Sequence, residues 1–390
     1  MTDTQKKVHF PNLNGLRFFM ALFIVLLHLE DIKYVSNREN IFGPYHIILA
    51  HTGALAVTAF FVMSGFLITY LLMKEKQNTG SIHVTEFYKR RILRIWPLYY
   101  FIIFLGFFVL PHMHITDLTD SIGSSLQKHF WLKLGFALIF LPPRLSGGRA
   151  SLNQTLGQVW TIRVEEAFYL CWPLLLKRTN NYIKLFLWIL AIFIGVHIGF
   201  DIIQFMMKSN IPQYWLKIVI SLKKLLEAYR IDCMVIGGFG AYLIAFDKKK
   251  ILSVIYRKDV QVLLYVITGL MLCFGIYPPV IAFEVYSVLF CLIMVNLGTN
   301  PNTIINLDYK WLDYLGKTAY GIYLYNSITR IFCIKFVEYI YNQPLSGWKM
   351  ETTLYICSIG STIIISILSY ELLEKPFLKL KNRFAIVKNA

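Results

Sequence analysis

The chain has 390 residues, of which 56% are hydrophobic, 16% aromatic and only 16% charged, and its mean hydropathy is +0.55. A soluble domain is about 45–50% apolar and about 25% charged, so these proportions exclude an ordinary soluble enzyme and point to a polytopic membrane protein. The formal net charge of +17 would suit nucleic acid, but in an apolar chain a basic excess marks inner loops and phosphate-bearing ligands. No nucleic-acid partner is expected.

The run that follows Lys6 and Lys7 is long and lacks a small-residue cleavage site, so it reads as an uncleaved first span. A 19-residue window places spans near 13–31, 51–73, 94–112, 157–176, 182–203, 230–247, 260–277, 280–298, 312–335 and 353–373. The fold class expected is therefore all-α integral membrane, with about ten transmembrane helices of about 20 residues each in one bundle. The stretch 130–142 is too short to cross and reads as re-entrant or interfacial. With the N-terminus inside, inner loops and tails hold 22 Lys and Arg against 12 outside, which favours cytoplasmic termini. Segment 208–227 disagrees: it should be outside yet carries four lysines. Its Ile218, Leu222, Leu225 and Leu226 suggest an amphipathic helix on the bilayer surface. The six cysteines lie in apolar stretches with no CxxC pair and read as small core residues rather than disulfides. No repeat, linker or soluble appendage is evident, so the chain divides into a membrane domain over 10–380 and tails at 1–9 and 381–390.

Ionisable residues inside spans are costly and are functional candidates. In the first span Arg17 and His28 are eleven residues apart, which places them within about 20° of one helix face and about 16 Å apart along the axis. Ser64 and Gly65 in the second span read as small residues for close helix packing. In FYKRRILRIWPLYY, Arg90, Arg91 and Arg94 share a helical face and can grip phosphate through several guanidinium groups; a topology anchor explains them as well. The fourth span opens QVWTIRVEEAFYLCWP, with Trp160 at its start and Glu165 and Glu166 beside Arg163, where one carboxylate can ion-pair and two less easily. Arg230 and Asp232 open the sixth span, and Tyr320, Tyr323, Asn326 and Arg330 lie in the ninth.

With this topology His28, Glu165, Glu166, Arg230, Asp232 and Asn326 fall in the outer halves of their spans, while Arg17, Arg90, Arg91 and Arg94 gather near the inner face. A histidine and a carboxylate at one depth can make a general acid/base pair. His112 and His114 lack the further ligands of a metal site, and no metal is expected. His197 and Asp201 share a face of the fifth span as a candidate structural pair.

Taken together, these motifs resemble the membrane acyltransferase-3 family, bacterial integral-membrane O-acyltransferases of surface glycans. LNGLRFFMALFIVLLH resembles its arginine-x10-histidine opening, FFVMSGFLIT its second-span motif, YKRRILRIWPLYY its arginine-x-x-arginine entry to the third span, and VWTIRVEEAFYLCWP its Trp-Ser-Leu…Glu-Glu segment, with Thr161 where serine is usual. RIDCMVIGG, LGKTAYGIYLYN and YELLEKPF resemble later blocks. The resemblance implies about ten spans around an internal cavity, acyl-CoA as co-substrate with no tightly bound cofactor, and a carbohydrate acceptor. It matches His28 to the essential histidine, Arg17 to the motif arginine, Arg91 and Arg94 to the second basic motif, and Glu165 to the fourth-span glutamate. The ninth-span motif commonly ends Leu-Trp-His; here it reads Leu324-Tyr325-Asn326, and Asn326 can only hydrogen-bond.

The activity expected is transfer of an acyl group, acetyl above all, from acyl-CoA to a hydroxyl of a cell-surface carbohydrate, by a multi-pass protein of the plasma membrane. His28, Glu165 and Glu166 are the catalytic candidates, Arg17, Arg90, Arg91 and Arg94 the donor-binding ones, and Trp160, Arg230, Asp232, Tyr320 and Asn326 acceptor or structural support. A homo-oligomer is compatible with the sequence. The rival reading is a proton-coupled transporter or glycan permease, which also needs intramembrane charge.

Overall fold

The computed structural model describes residues 8–35, 46–113, 128–146, 152, 156–207, 218–223, 229–278, 281–342 and 347–384. Among them the chain is helical, with no β-strand. In chain order the helices are α1 (Leu13–Val35), α2 (His46–Thr79), α3 (Val84–Phe104), α4 (Phe130–Leu138), α5 (Val159–Arg178), α6 (Tyr182–Met207), α7 (Ile231–Ala245) and α8 (Lys249–Ile255). They are followed by α9 (Lys258–Cys273), α10 (Ala282–Thr299), α11 (Lys310–Lys317), α12 (Ala319–Tyr341), α13 (Trp348–Ser369) and α14 (Lys375–Lys381). A π-helical turn, Leu105–Val109, extends α3, and another, Tyr370–Glu374, joins α13 to α14.

Among the described residues six segments are long and apolar enough to cross a membrane: Leu13–Asp31, Thr52–Thr79, Val84–His112, Tyr182–Ile203, Ala282–Thr299 and Trp348–Phe384. This is fewer than the ten read from sequence. α7 and α9 have 15 and 16 residues, short of the about 20 that a bilayer asks for, and α5 and α12 carry Arg163, Glu165, Glu166, Arg330 and Lys335 within their apolar windows. α4 is nine residues long, about 14 Å at 1.5 Å per residue, so it cannot cross. It is pinned instead by Tyr99, whose hydroxyl donates to the Ala137 carbonyl at 2.6 Å.

The core is organised by the crossing of α2 and α7. A Cβ on Gly65 would lie 1.9 Å from the Met234 carbonyl oxygen, and one on Gly237 would lie 2.0 Å from that of Val62. The two backbones touch where any larger residue would force them apart, the close packing that small residues permit within a bilayer. Phe61, Val62, Phe66, Leu98, Tyr99, Phe168, Trp172, Met234 and Val295 fill the space around this crossing. α1 joins through a second cluster against α12 and α13, built on Ala21, Leu29, Ile322 and Leu354. α6 lies at the periphery and exposes Leu187, Trp188, Ile192, Ile202 and Phe205, an apolar surface suited to lipid contact.

Several sequence pairings are redrawn by this packing. His197 Nδ1 lies 3.9 Å from Glu284 Oε1 rather than beside Asp201, which pairs with Lys223. Arg230 does not bridge to Asp232; its Nη1 donates to Thr58 Oγ1 at 2.8 Å and to the Ala54 carbonyl at 3.2 Å, and its guanidinium lies 3.5 Å from the Phe283 ring centre. Asp232 lies within electrostatic reach of Glu284 and of Arg230. Of the cysteines, all free, Cys171 and Cys273 are exposed rather than core, because an apolar stretch in a bundle has an outer face as well as an inner one. Of segment 208–227, residues 218–223 are helical; Leu225 and Leu226 lie outside the described residues, as does His114.

Candidate active site

His28 sits in the C-terminal half of α1 and is half-buried. Its Nδ1 lies 2.7 Å from Asn326 Oδ1 on α12. The amide of Asn326 is oriented by its own helix, since Nδ2 donates to the Tyr323 carbonyl and, at 3.4 Å, to that of Ile322. With both N–H groups directed at backbone acceptors, Oδ1 faces the imidazole and accepts the Nδ1 proton. The other ring nitrogen, Nε2, then carries the lone pair, and no protein group among the described residues bonds it. Four residues further along α12, Arg330 Nη1 donates to the His28 carbonyl and fixes the backbone of the same turn.

The second cluster is basic. Arg17 on α1 donates through Nε to Met63 Sδ at 3.1 Å and through Nη1 to Asn14 Oδ1 at 3.0 Å. Asn14 in turn donates to Asp313 of α11 at 2.7 Å. Arg91 lies over the Phe87 and Tyr169 rings, 5.8 and 5.7 Å from their centres, and its buried Nε has no partner. Arg17, Arg91 and Arg94 are within electrostatic reach of one another, yet among the described residues none of them makes an ion pair. Arg90, on the same turn of α3, is different: Nη2 pairs with buried Glu75 at 3.0 Å and Nη1 donates to the Phe384 carbonyl at 2.8 Å.

Glu165 of α5 belongs with these arginines. Its Oε1 accepts from Ser64 Oγ at 2.6 Å and its Oε2 from the Tyr169 hydroxyl at 3.1 Å, and its charge reaches Arg91 and Arg94. Glu166 leaves Oε1 buried without a partner. Arg163 turns the other way, toward Tyr99.

One face of α12 joins the two clusters. The Tyr320 hydroxyl donates to the Ile95 carbonyl at 3.0 Å, next to Arg94; the Tyr323 hydroxyl accepts from Thr161 at 2.9 Å and donates to the Gln158 carbonyl at 3.1 Å; Asn326 and Arg330 then meet His28. Steps of three, three and four residues keep these side chains on one stripe, rising about 15 Å from the arginines to the histidine.

Of the residues predicted from sequence, the structure therefore joins His28 with Asn326, and Glu165 with Arg17, Arg91 and Arg94. It does not bond Glu165 or Glu166 to His28, because α5 turns Glu165 toward α2 and α3. Trp160 packs edge-on to Phe61, ring centres 6.1 Å apart, and Arg230 and Asp232 form a separate buried polar group with Glu284. Ser64 reads in sequence as a packing residue and proves to hold Glu165. The bonds of Tyr169 and Arg330 carry no sequence signal beyond a polar residue on an apolar helix.

Comparison with known proteins agrees with the motifs. A family model for the acyltransferase domain matches residues 10–371. The chain is 26% identical over 393 aligned positions to the O-acetyltransferase OatA of Staphylococcus aureus (strain NCTC 8325), covering 95% of this chain and 57% of that protein. It is 22% identical over 408 positions to the peptidoglycan O-acetyltransferase OatA of Listeria monocytogenes serovar 1/2a, covering 97% of this chain and 57% of that one. The chain thus spans a little over half the length of these relatives. No solved structure matches it. Matched across nearly its whole length, and carrying the arginine, histidine and glutamate motifs in family order, the chain belongs to the acyltransferase-3 family.

Proposed function

We propose that the protein is an integral-membrane O-acyltransferase that moves an acetyl group from acyl-CoA at the inner face to a hydroxyl of a cell-surface glycan. The observation that carries this reading is the His28–Asn326 pair, which leaves His28 Nε2 as a positioned base. The peptidoglycan named for the relative from Listeria is the first acceptor to test. In the same reading α5, α7, α9 and α12 are further crossings, for ten in all, with both termini inside the plasma membrane. Arg17, His28, Arg91 and Glu165 are surrounded by protein yet keep accessible surface, as side chains lining an internal cavity do.

The chemistry follows from the placement. Arg17, Arg91 and Arg94 hold donor phosphates by charge-assisted hydrogen bonds, and the pantetheine arm follows the α12 stripe to His28. Nε2 removes the proton of the acceptor hydroxyl as its oxygen attacks the thioester carbonyl. The new C–O bond forms, the C–S bond breaks, and the imidazolium returns the proton to the departing thiolate, giving the ester and free coenzyme A. Asn326 takes the orienting part that the sequence suggested for Glu165 or Glu166. Glu165, held by Ser64 and Tyr169, balances the arginines. Arg90 braces α3 through Glu75 rather than meeting donor, and Trp160, Tyr320, Arg230 and Asp232 support the walls.

Labelled acetyl-CoA incubated with the purified chain and a soluble muropeptide tests the reading. Label in ester linkage on the sugar is expected; a permease transfers none.

A further inference from the structure

The basic cluster has a member that lies outside the motifs. Lys381, in the last turn of α14, is partly buried and lies within electrostatic reach of Arg94, Arg91, Arg90 and Arg17. The turn that directly follows α14 is held to α3 by two contacts: Arg90 donates to the Phe384 carbonyl at 2.8 Å, and Lys89 Nζ lies 5.1 Å from the Phe384 ring centre. Among the described residues Lys381 makes neither an ion pair nor a hydrogen bond. Four cations, Arg17, Arg91, Arg94 and Lys381, thus converge from α1, α3 and α14 with no ion pair among them. The carboxylates that reach the cluster are Glu165, Glu166 through Arg91, and Glu374 toward Arg94, so the four cations still outnumber them. Gathering like charges away from bulk water is unfavourable unless a counter-ion completes the site.

We infer that Lys381 binds phosphate of the nucleotide-bearing donor, so that the C-terminal helix α14 forms one wall of the donor site. This rests on the donor reading given above and adds to it a ligand that lies outside the family motifs. Ammonium on a four-carbon stem suits a phosphate whose exact position differs between donors, while the arginines supply fixed bidentate contacts. A diphosphate with a further phosphomonoester, as in coenzyme A, carries enough negative charge to balance the cluster.

The test is equilibrium binding of coenzyme A and of pantetheine to the full chain in neutral detergent, for wild type, Lys381→Gln and Lys381→Arg. The expected result is that Lys381→Gln raises the Kd for coenzyme A about tenfold or more, the worth of one hydrogen bond to a charged group. Pantetheine binding stays the same and Lys381→Arg stays close to wild type. Removing one of four mutually repelling charges should leave the ligand-free thermal midpoint unchanged or raised. A lowered midpoint, with coenzyme A affinity lost together with pantetheine affinity, would make Lys381 a structural residue and overturn the inference. If wild type binds coenzyme A and Lys381→Gln binds it equally well, the inference falls while the donor reading stands; if wild type does not bind it at all, both fall. Adding phosphatidylglycerol distinguishes the other source of phosphate: competition with coenzyme A that Lys381→Gln abolishes would assign the lysine to a lipid headgroup and overturn the nucleotide assignment.

Discussion

Asn326 Oδ1 and His28 Nδ1 lie 2.7 Å apart, and the Asn326 amide is already turned by its bonds to the Tyr323 and Ile322 carbonyls. Helix α12 thereby selects the imidazole tautomer on α1. Asn326→Leu should reduce kcat for acetyl transfer by about 10²-fold, the lower end of what a positioned general base contributes, with little change in donor KM. Asn326→Asp, which still accepts from Nδ1, should retain much more. Equal losses in the two variants would show that residue 326 acts through packing.

The two neighbours Arg90 and Arg91 should separate by assay. Arg90 neutralises Glu75, whose side chain is 2% exposed, and removing one partner of a buried pair costs about 3–5 kcal/mol. Arg90→Ala is therefore expected to lower the thermal midpoint in detergent sharply. Arg91→Ala together with Arg94→Ala should leave that midpoint near wild type and weaken coenzyme A binding. A reversed pattern in unfolding and binding curves would reassign the donor site to Arg90.

Ser64 is held to Glu165 at 2.6 Å, which makes it a support for the carboxylate rather than a carrier of the acyl group. Ser64→Ala should cost about 1.5–3 kcal/mol, the worth of a hydrogen bond to a charged group, and so about 10-fold to 150-fold in rate at most. Intact-mass measurement during turnover should show no acetylated Ser64. An acetyl adduct on that hydroxyl would contradict the assignment.

The α2–α7 crossing leaves no room at Gly65, where a Cβ would fall 1.9 Å from the Met234 carbonyl oxygen. Gly65→Ala should destabilise the fold by about 1–3 kcal/mol or more, read as a drop in thermal midpoint. The same substitution at Gly269, which has open space around it, is the control and should change little.

Much of this was legible from residue type and order. Arg17 and His28 fall on one helix of the bundle because helical pitch fixes their relation, and Gly65 reads as a packing residue because only small side chains let helices touch. The partnership of His28 was not legible. Depth along a span is given by sequence, but the direction in which α5 turns Glu165 depends on packing against α2 and α3, and there Ser64 and Tyr169 claim it. Arg90, Arg91 and Arg94 likewise look equivalent by spacing, and they separate only because packing brings Glu75 of the preceding helix and the distant Phe384 to Arg90 alone. Lys381 has no signal in sequence at all, since one lysine among several after an apolar span is the ordinary pattern of an inner anchor.

The most direct measurement is acetyl transfer from labelled acetyl-CoA to a glycan acceptor by the full chain in proteoliposomes, comparing wild type with His28→Gln at matched incorporation and thermal stability. His28→Gln keeps a polar side chain but supplies no base, so ester-linked label should form at least about 10²-fold more slowly than with wild type. Equal rates in the two preparations would contradict the assignment of His28 as the catalytic base.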